Sequence, residues 1–331
     1  MKTRPGRFIW ITLIGIALMS LLPIVTNSPT LRENTFLVLM LMILASSVNI
    51  MMGYTGYVSF GHIVFFGLGG YIAFYLMQTY QVHLILAALA GGVTATIFAL
   101  LLGSPVLRLR GAYFALATLG INEAVRTFVN NFEPFGGSVG MFFNFSVYDA
   151  YGGAGNALWF TYYLVVIVAL LTIAASYFIK KSKFGLGLMA IREDQDAALI
   201  LGVDAARYKV LAFAASAFFA GIAGALFFFK NGIIEPNVAF DLHRSIESLV
   251  MVMLGGLGTV LGPLVGALIF ELINTTLITA PPLNLGFITL DFGDLHLFIT
   301  GFLLLLIVLF ITSGAVGLIR RRLPRIGRYL E

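Results

Sequence analysis

Residues with well-known catalytic chemistry are scattered along this sequence. The four histidines, His62, His83, His243 and His296, form no close pair and no His-Glu-x-x-His motif of a zinc site. His243 and Glu247 are one helical turn apart, a spacing more typical of a surface hydrogen bond than of a metal site. Cysteine is absent, which excludes disulfides and thiolate metal ligands. The sequence therefore predicts a protein that is not an enzyme, with no catalytic residue, metal or cofactor.

Polar residues and glycines inside or beside long apolar runs form a second set of candidates. They are Gly53, Tyr54, Gly56, Ser59, Gly61, His62, Thr118, Asn122, Gly255, Gly258 and Thr259. At membrane depth such groups either line a water-filled path or hold helices together by hydrogen bonds. The clustering of Tyr, Ser and His among the glycines of 53–62 favours a translocation pathway there. Structural hydrogen bonding is the alternative for each residue taken alone.

A charged segment, 180–209, is too long and too patterned for a simple connector. Within it, 193–201 has helical periodicity, since Ala197, Ile200 and Leu201 recur on one face. A helix this short is unstable alone in water, so its apolar face needs a cover. The cover is either a groove in a partner protein or the lipid headgroups of the membrane surface.

The acidic residues of this segment favour a partner groove over the lipid headgroups. Asp194 and Asp196 are placed in the first turn, where they suit the positive end of the helix dipole, and Gly202 is placed to end the helix. With Glu193 and Asp204 they make four acids in twelve residues, which disfavours an anionic membrane surface. The segment is therefore predicted to dock on a partner protein.

The elements that must position these residues are membrane-spanning helices. The chain has 331 residues, of which 60% are hydrophobic and 11% are charged, whereas a soluble domain carries about 25% charged residues. A spanning helix needs roughly 20 apolar residues. The sequence predicts an all-α, polytopic transmembrane helical bundle of about ten helices with broken or re-entrant Gly-rich segments. It forms one transmembrane domain over 1–331, with 180–209 as a segment outside the bilayer.

The apolar runs give the expected helices. They are 8–26, which we interpret as an uncleaved first helix, 35–52, 62–79, 83–103, 111–131, 158–179, 210–230, two helices within 242–280 split at Gly255–Gly258, and 295–318. Sixteen of the 20 Lys and Arg residues then fall on the side of both termini. This positive-inside bias predicts cytoplasmic termini and an even number of crossings, ten or eight.

Two glycine patterns interrupt apolar runs about 200 residues apart, Gly-x2-Gly-x4-Gly at 53–61 and Gly-x2-Gly-x3-Gly at 255–262. Many transporters build their pathway from repeats with broken helices at the membrane midplane. Glycine is also common in membrane helices because it permits close packing. Both interpretations, a repeat and ordinary packing, stay open at this point.

Asp196-Ala197-Ala198-x3-Gly202 resembles the Glu-Ala-Ala-x3-Gly signature of permeases in bacterial ABC importers, with Asp in place of Glu. Further blocks resemble the LivM-type permeases of branched-chain amino-acid ABC transporters. They are GYTGYVSFGH (53–62), LRGAYFALATLG (109–120), GGSVGM (136–141), FGLGLMAIRED through RYKVLAFAASAFFAGIAGAL (184–226) and MLGGLGTVLGPLVGA (253–267). The resemblance covers about 35–315, with the blocks in the expected order.

This resemblance implies a permease subunit in the bacterial inner membrane for branched-chain or other small amino acids. Its implied partners are ATP-binding subunits, a second, homologous permease and a periplasmic or tethered solute-binding protein, with no nucleic acid. The residues implied to contact the ATPase are Arg192, Glu193, Asp194, Asp196, Ala197, Ala198 and Gly202. The chain has no Gly-x4-Gly-Lys-Ser/Thr loop, so ATP hydrolysis is expected on another chain. The alternatives are a permease for urea, short amides or another small solute, and an ion-coupled secondary transporter.

Overall fold

A computed structural model describes residues 6–143 and 146–279, with the short pieces 283–284, 289–290, 298, 301–302 and 314–317. These ranges are almost entirely helical, which confirms the all-α helical bundle. The helices are α1 Gly6–Thr26, α2 Pro29–Val48, α3 Ile63–Tyr80, α4 Leu84–Val106, α5 Ala112–Asn130, α6 Ser146–Asp149, α7 Ala154–Lys181, α8 Lys183–Glu193, α9 Gln195–Ile200, α10 Ala205–Asn231, α11 Pro236–Ala239, α12 Leu242–Gly255 and α13 Gly262–Thr279. The strands are β1 Met141–Phe142, β2 Ile233–Ile234, β3 Leu283–Asn284 and β4 Thr289–Leu290, paired antiparallel as β1–β2 and β3–β4.

Five helical stretches in the described ranges are long and apolar enough to cross a membrane. They are Pro29–Gly53, Ile63–Tyr80, Leu84–Val106, Ala154–Lys181 and Ala205–Asn231. Nine of the ten expected helices correspond to α1, α2, α3, α4, α5, α7, α10, α12 and α13. The tenth, predicted at 295–318, lies outside the described residues except for 298, 301–302 and 314–317.

The core of the bundle lies where α10 packs on α3 and α4. Glycines make this approach close. A Cβ atom on Gly91 would lie 2.4 Å from the carbonyl oxygen of Gly69, and one on Gly69 would lie 2.4 Å from the Cα of Gly221. Three backbones meet here with no side chain between them, as small residues allow in membrane helices. Aromatic side chains of α3 and α10, such as Phe66 and Phe228, fill the space beyond.

Two regions bear on the expected loops and breaks. The segment 132–157, which lies between the predicted helices 111–131 and 158–179, contains short 3₁₀ turns at Glu133–Phe135 and Gly137–Val139, the strand β1 and the start of α7. β1 pairs with β2, which follows α10, and this pairing gives the loop a fixed backbone. The predicted split within 242–280 is confirmed, because α12 ends at Gly255 and α13 begins at Gly262.

Candidate functional site

The two glycine-rich breaks contact each other. After α2 the backbone widens into a π-helical turn, Asn49–Gly53, and the buried Asn49 side chain reaches the second break. Its Oδ1 accepts a hydrogen bond from the Gly258 amide (3.0 Å), and its Nδ2 donates one to the Thr259 carbonyl (2.9 Å). A Cβ on Gly53 would lie 2.0 Å from that Oδ1, so only glycine fits there. One amide side chain therefore satisfies backbone groups that the second break leaves without helical partners.

The second break is closed by its own residues. Gly255 ends α12, and a Cβ there would lie 1.7 Å from the carbonyl oxygen of Gly262 at the start of α13. Thr259 Oγ1 donates to the Gly256 carbonyl (2.8 Å) and accepts from the Gly262 amide (2.9 Å), which caps α13. The two helix ends are thereby folded back against each other.

Arg192, near the end of α8, contacts both breaks. Its Nη1 donates a hydrogen bond to the carbonyl oxygen of Gly53 at 2.8 Å. Gly258 has a φ of +74°, and a Cβ there would lie 2.5 Å from the same Nη1. Gly56, with a φ of +78°, passes beside the Arg192 stem. The charged segment thus contacts both breaks through one guanidinium.

The charged segment is two helices, which corrects the prediction of one helix over 193–201. The break is at Asp194, which lies before the first turn of α9 and caps it: its Oδ1 accepts from the amides of Asp196 (2.9 Å) and Ala197 (3.0 Å). Glu193 is the exposed last residue of α8. Gly202, predicted to end the helix, follows α9 with a φ of +87°, and a Cβ there would meet nothing within 4 Å.

The predicted apolar face of α9 is exposed. Ala198 is the buried residue of this helix and packs with Ile191 and Ala205. Ala197 is exposed, and Ile200 and Leu201 are 87% and 81% exposed. An exposed apolar surface on a short helix is suited to a partner groove.

Three side chains attach α9 to the bundle, and the sequence did not predict that they meet. Tyr57 Oη donates to Gln195 Oε1 at 2.7 Å. Lys209 Nζ donates to Tyr57 Oη (3.0 Å), to Gln195 Oε1 (3.2 Å) and to the Leu107 carbonyl (2.7 Å). Lys209 was counted among the residues outside the membrane, but it is only 2% exposed at the start of α10. A lysine just inside an apolar run was the available signal.

Asp196 forms the outermost contact of the segment. Its two carboxylate oxygens accept from the Arg110 guanidinium at 2.9 and 3.1 Å, although both side chains are exposed. The hydrogen bond and the charge of Arg110 hold the pKa of this carboxyl below its usual value. Asp196, which stands at the Glu position of the importer signature, is thus paired with the loop between α4 and α5.

A third contact joins the start of α3 to α5. A Cβ on Gly61 would lie 2.3 Å from the Thr118 carbonyl, and Thr118 Oγ1 accepts from the Phe60 amide at 3.1 Å. Ser59 is buried beside it, and its Oγ has no partner in the described part of the chain. Asn122, one turn further along α5, donates from Nδ2 to the Phe240 carbonyl at 3.0 Å. The Oδ1 of Asn122 is also buried without a partner among the described residues.

Two other candidates are enclosed by the bundle. Tyr54 Oη bonds to Ser176 Oγ of α7 at 2.7 Å. His62 lies 2.7 Å from Ser47 Oγ through Nε2, and Ser47 donates its own proton to the Ser216 carbonyl at 2.7 Å. The Nε2 of His62 must therefore carry the hydrogen. His62 is thus buried against a neighbouring helix.

Two acidic residues of the described helices, Glu123 and Glu247, lie next to a basic side chain. Arg126 Nη2 contacts Glu123 Oε1 at 2.5 Å, one helical turn away on α5. His243 and Glu247 lie 3.6 Å apart. No cluster of three metal-ligating side chains occurs within the described ranges.

One further catalytic spacing is present in the α5–α7 loop. Gly136 to Gly140 match the Gly-x-Ser-x-Gly pattern, in which a serine nucleophile stands between a strand and a helix. Here Ser138 is exposed on a 3₁₀ turn that follows another 3₁₀ turn. The strand–turn–helix context that the motif requires is missing at this place.

Comparison with known proteins identifies relatives among permeases. A family model described as "Branched-chain amino acid transport system / permease component" matches residues 32–309. The LivM permease protein of the high-affinity branched-chain amino acid transport system of Escherichia coli K12 is 29% identical over 310 residues, covering 87% of this chain and 70% of LivM. LivM of Salmonella typhimurium is 29% identical over 304 residues, covering 85% and 68%. LivH of Escherichia coli K12 is 28% identical over 152 residues, 46% of each chain. No solved structure matches this chain.

Proposed function

We propose that this chain, which belongs to the branched-chain amino acid transport permease family, is the membrane-spanning subunit of an ATP-driven importer of branched-chain or similar small amino acids. The names of both LivM relatives support this substrate class. The domain extends over 1–331, in a bacterial inner membrane with both termini in the cytoplasm. The positive charge on the side of 108–110 and 180–192 supports that orientation.

The partners follow from the family. Similarity to LivM over most of the chain, and to LivH over about half of it, supports pairing with a second, homologous permease. The sequence lacks a phosphate-binding loop of the Gly-x4-Gly-Lys-Ser/Thr type, so separate ATP-binding subunits supply hydrolysis. A solute-binding protein outside the membrane delivers the amino acid.

The observation that carries this proposal is the position of Arg192. One end of its segment presents exposed Ile200 and Leu201, which are available to an ATPase groove. The other end places the Arg192 guanidinium against Gly53 and Gly258. A push on α9 would therefore displace a single cation that contacts both breaks, and so shift α2 and α12 together. ATP-driven closure of the partner would use this path to tip α7 and α10 and switch access.

The pathway of the solute lies on the polar side of α5. Ser59 Oγ and Asn122 Oδ1 are buried polar atoms without partners in the described residues, and Thr118 lies between them. Polar atoms of this kind are suited to water or to the ammonium and carboxylate groups of an amino acid. The Gly61–Thr118 contact sets the distance between α3 and α5 at this place.

The test is ATP-dependent leucine uptake by proteoliposomes that contain the full chain with its permease, ATPase and binding-protein partners. Ile200→Glu should abolish co-purification of the ATPase and uptake together. Val139→Glu, a similar change at an exposed residue of the α5–α7 loop, should leave both intact. Uptake driven by a proton or sodium gradient without ATP would refute the proposal. Uptake of urea or a sugar in place of leucine would change only the substrate class.

A further inference from the structure

A cavity of about 660 Å³ opens where α4 ends and α10 begins. Both helices are membrane spans, so the cavity lies at one surface of the bilayer. Its walls include Leu107, Val210 and Leu211, and Leu199 of α9 lines its outer side. Leu211 is 52% exposed, which leaves an apolar wall open to the membrane. The cavity thus joins an apolar groove to an aqueous mouth.

Its charged lining is mainly basic. Arg108, Arg110, Arg207 and Lys209 line the cavity, whereas Asp204 is the acid among its lining residues. Asp204 is paired with Arg207 at 2.9 Å, and Arg110 is paired with Asp196 outside the lining. Arg108 is exposed and forms no ion pair within the described part of the chain. The mouth therefore keeps a net positive charge.

Lys209 adds an uncompensated charge inside the cavity. The residue as a whole is 2% exposed, and its ammonium group donates to three oxygens, those of Tyr57, Gln195 and the Leu107 carbonyl. All three acceptors are neutral, and no carboxylate of the described residues lies within ion-pair distance of Nζ. A buried cation is normally balanced by an opposite charge. An anion in the cavity would supply that balance.

We propose that this cavity binds an anionic phospholipid, with the phosphate at Arg108 near Lys209 and an acyl chain along Leu211. Basic pockets between spanning helices at a membrane surface are suited to such headgroups. The apolar wall favours a lipid over free phosphate, which would leave that wall unused. The site lies beside Gln195 and Leu199, so a bound lipid would brace α9 in its position against the bundle.

Native mass spectrometry of the full-length chain in detergent tests this proposal by titration with phosphatidylglycerol or phosphatidylcholine. Wild type should prefer phosphatidylglycerol. The pair Arg108→Gln with Arg207→Gln should weaken its binding about thirtyfold, since each basic residue near a membrane surface contributes roughly fivefold. Arg108→Gln alone should weaken it about fivefold, and this single change leaves the Arg207–Asp204 pair intact.

The matched control is Lys181→Gln with Lys183→Gln, which removes two exposed positive charges from the neighbouring end of α7 and start of α8. This control should bind phosphatidylglycerol like wild type, and thermal unfolding without lipid should show that all variants are folded. Equal binding of the two lipids, or equal loss in the control, would overturn the proposal. Displacement of the lipid by inorganic phosphate would make the site one for a soluble anion.

Discussion

Arg192 and Gly53 are 139 residues apart in sequence, yet the Arg192 Nη1 donates to the Gly53 carbonyl at 2.8 Å. The acceptor, Gly53, is the last residue of the π-helical turn, where the backbone does not follow the regular α-helical hydrogen-bond pattern. A Cβ on Gly258 would lie 2.5 Å from the same Nη1 and 2.8 Å from the Gly53 carbonyl oxygen. A cation from the short helix α8 therefore contacts both interrupted helices.

Arg192→Lys should uncouple the transporter. Lysine keeps the charge but lacks the planar fork that reaches Gly53 beside Gly258. Loss of a charged hydrogen bond is worth roughly 1.5–3 kcal/mol, so ATP-dependent uptake should fall by about tenfold or more. The ATPase should still co-purify. Arg207→Lys, at an 83% exposed side chain, is the control and should keep normal uptake. Wild-type uptake by Arg192→Lys would disprove the coupling path.

Asn49→Asp should destabilise the whole bundle. Asn49 uses its amide both to accept from Gly258 and to donate to Thr259, and a carboxylate turns the second contact into repulsion between two oxygens. Burying that change should cost about 2 kcal/mol or more. Thermal unfolding in detergent measures the loss. Asn156→Asp, where the Nδ2 donates to Gly152 at an exposed site, should change stability by less than about 0.5 kcal/mol. Equal shifts in the two variants would contradict the prediction.

The Arg110–Asp196 pair should not respond to pH in the physiological range. Arg110 lowers the pKa of Asp196 from its usual 3.8, so the pair is fully formed above that value and is lost only as pH falls through the lowered pKa. Asp196→Asn should therefore weaken stimulation of the ATPase by loaded binding protein to the same degree from about pH 5 to pH 8. A defect that vanished toward pH 5 would show that wild-type Asp196 already loses its charge there. Stimulation equal to wild type would exclude Asp196 from coupling.

Gly61→Ala and Gly120→Ala form a matched pair near α5. A Cβ at Gly61 would lie 2.3 Å from the Thr118 carbonyl, whereas one at Gly120 meets nothing within 4 Å. The first change must separate α3 from α5, with a cost of roughly 1–3 kcal/mol. Leucine uptake and thermal unfolding should both report it. The second change should have almost no effect on the stability of the isolated chain. Similar behaviour of the two variants would show that the Gly61–Thr118 contact is not needed for transport.

Local signals located most of the elements in advance. Glycine runs at 53–61 and 255–262 mark breaks because they interrupt apolar runs that otherwise suit a spanning helix. The charged run 180–209 also interrupts the apolar pattern, and it contains the short helices α8 and α9. Each of these signals depends only on residues that are close in sequence, and helices end at or near them in the structure.

Contacts between distant residues were out of reach. The Asn49–Thr259 bond spans 210 positions, and no local pattern pairs the two residues. Lys209 was assigned to the aqueous side by its position near other cations, although packing of α10 against Tyr57 buries it. On α9 the predicted apolar face of Ala197, Ile200 and Leu201 is exposed, whereas the contact of Ala198 with Ile191 and Ala205 was not predicted. Small size decided that contact.

The pairing of β1 with β2 attaches the α5–α7 loop to the far end of α10. α10 has 27 residues, so at 1.5 Å per residue it is about 40 Å long. A rotation of about 5° around the Lys209 end would carry that loop sideways by roughly 3–4 Å, which is close to the width of a methylene chain. A small rotation of α10 at one face of the membrane would therefore cause a larger displacement of the α5–α7 loop at the opposite face.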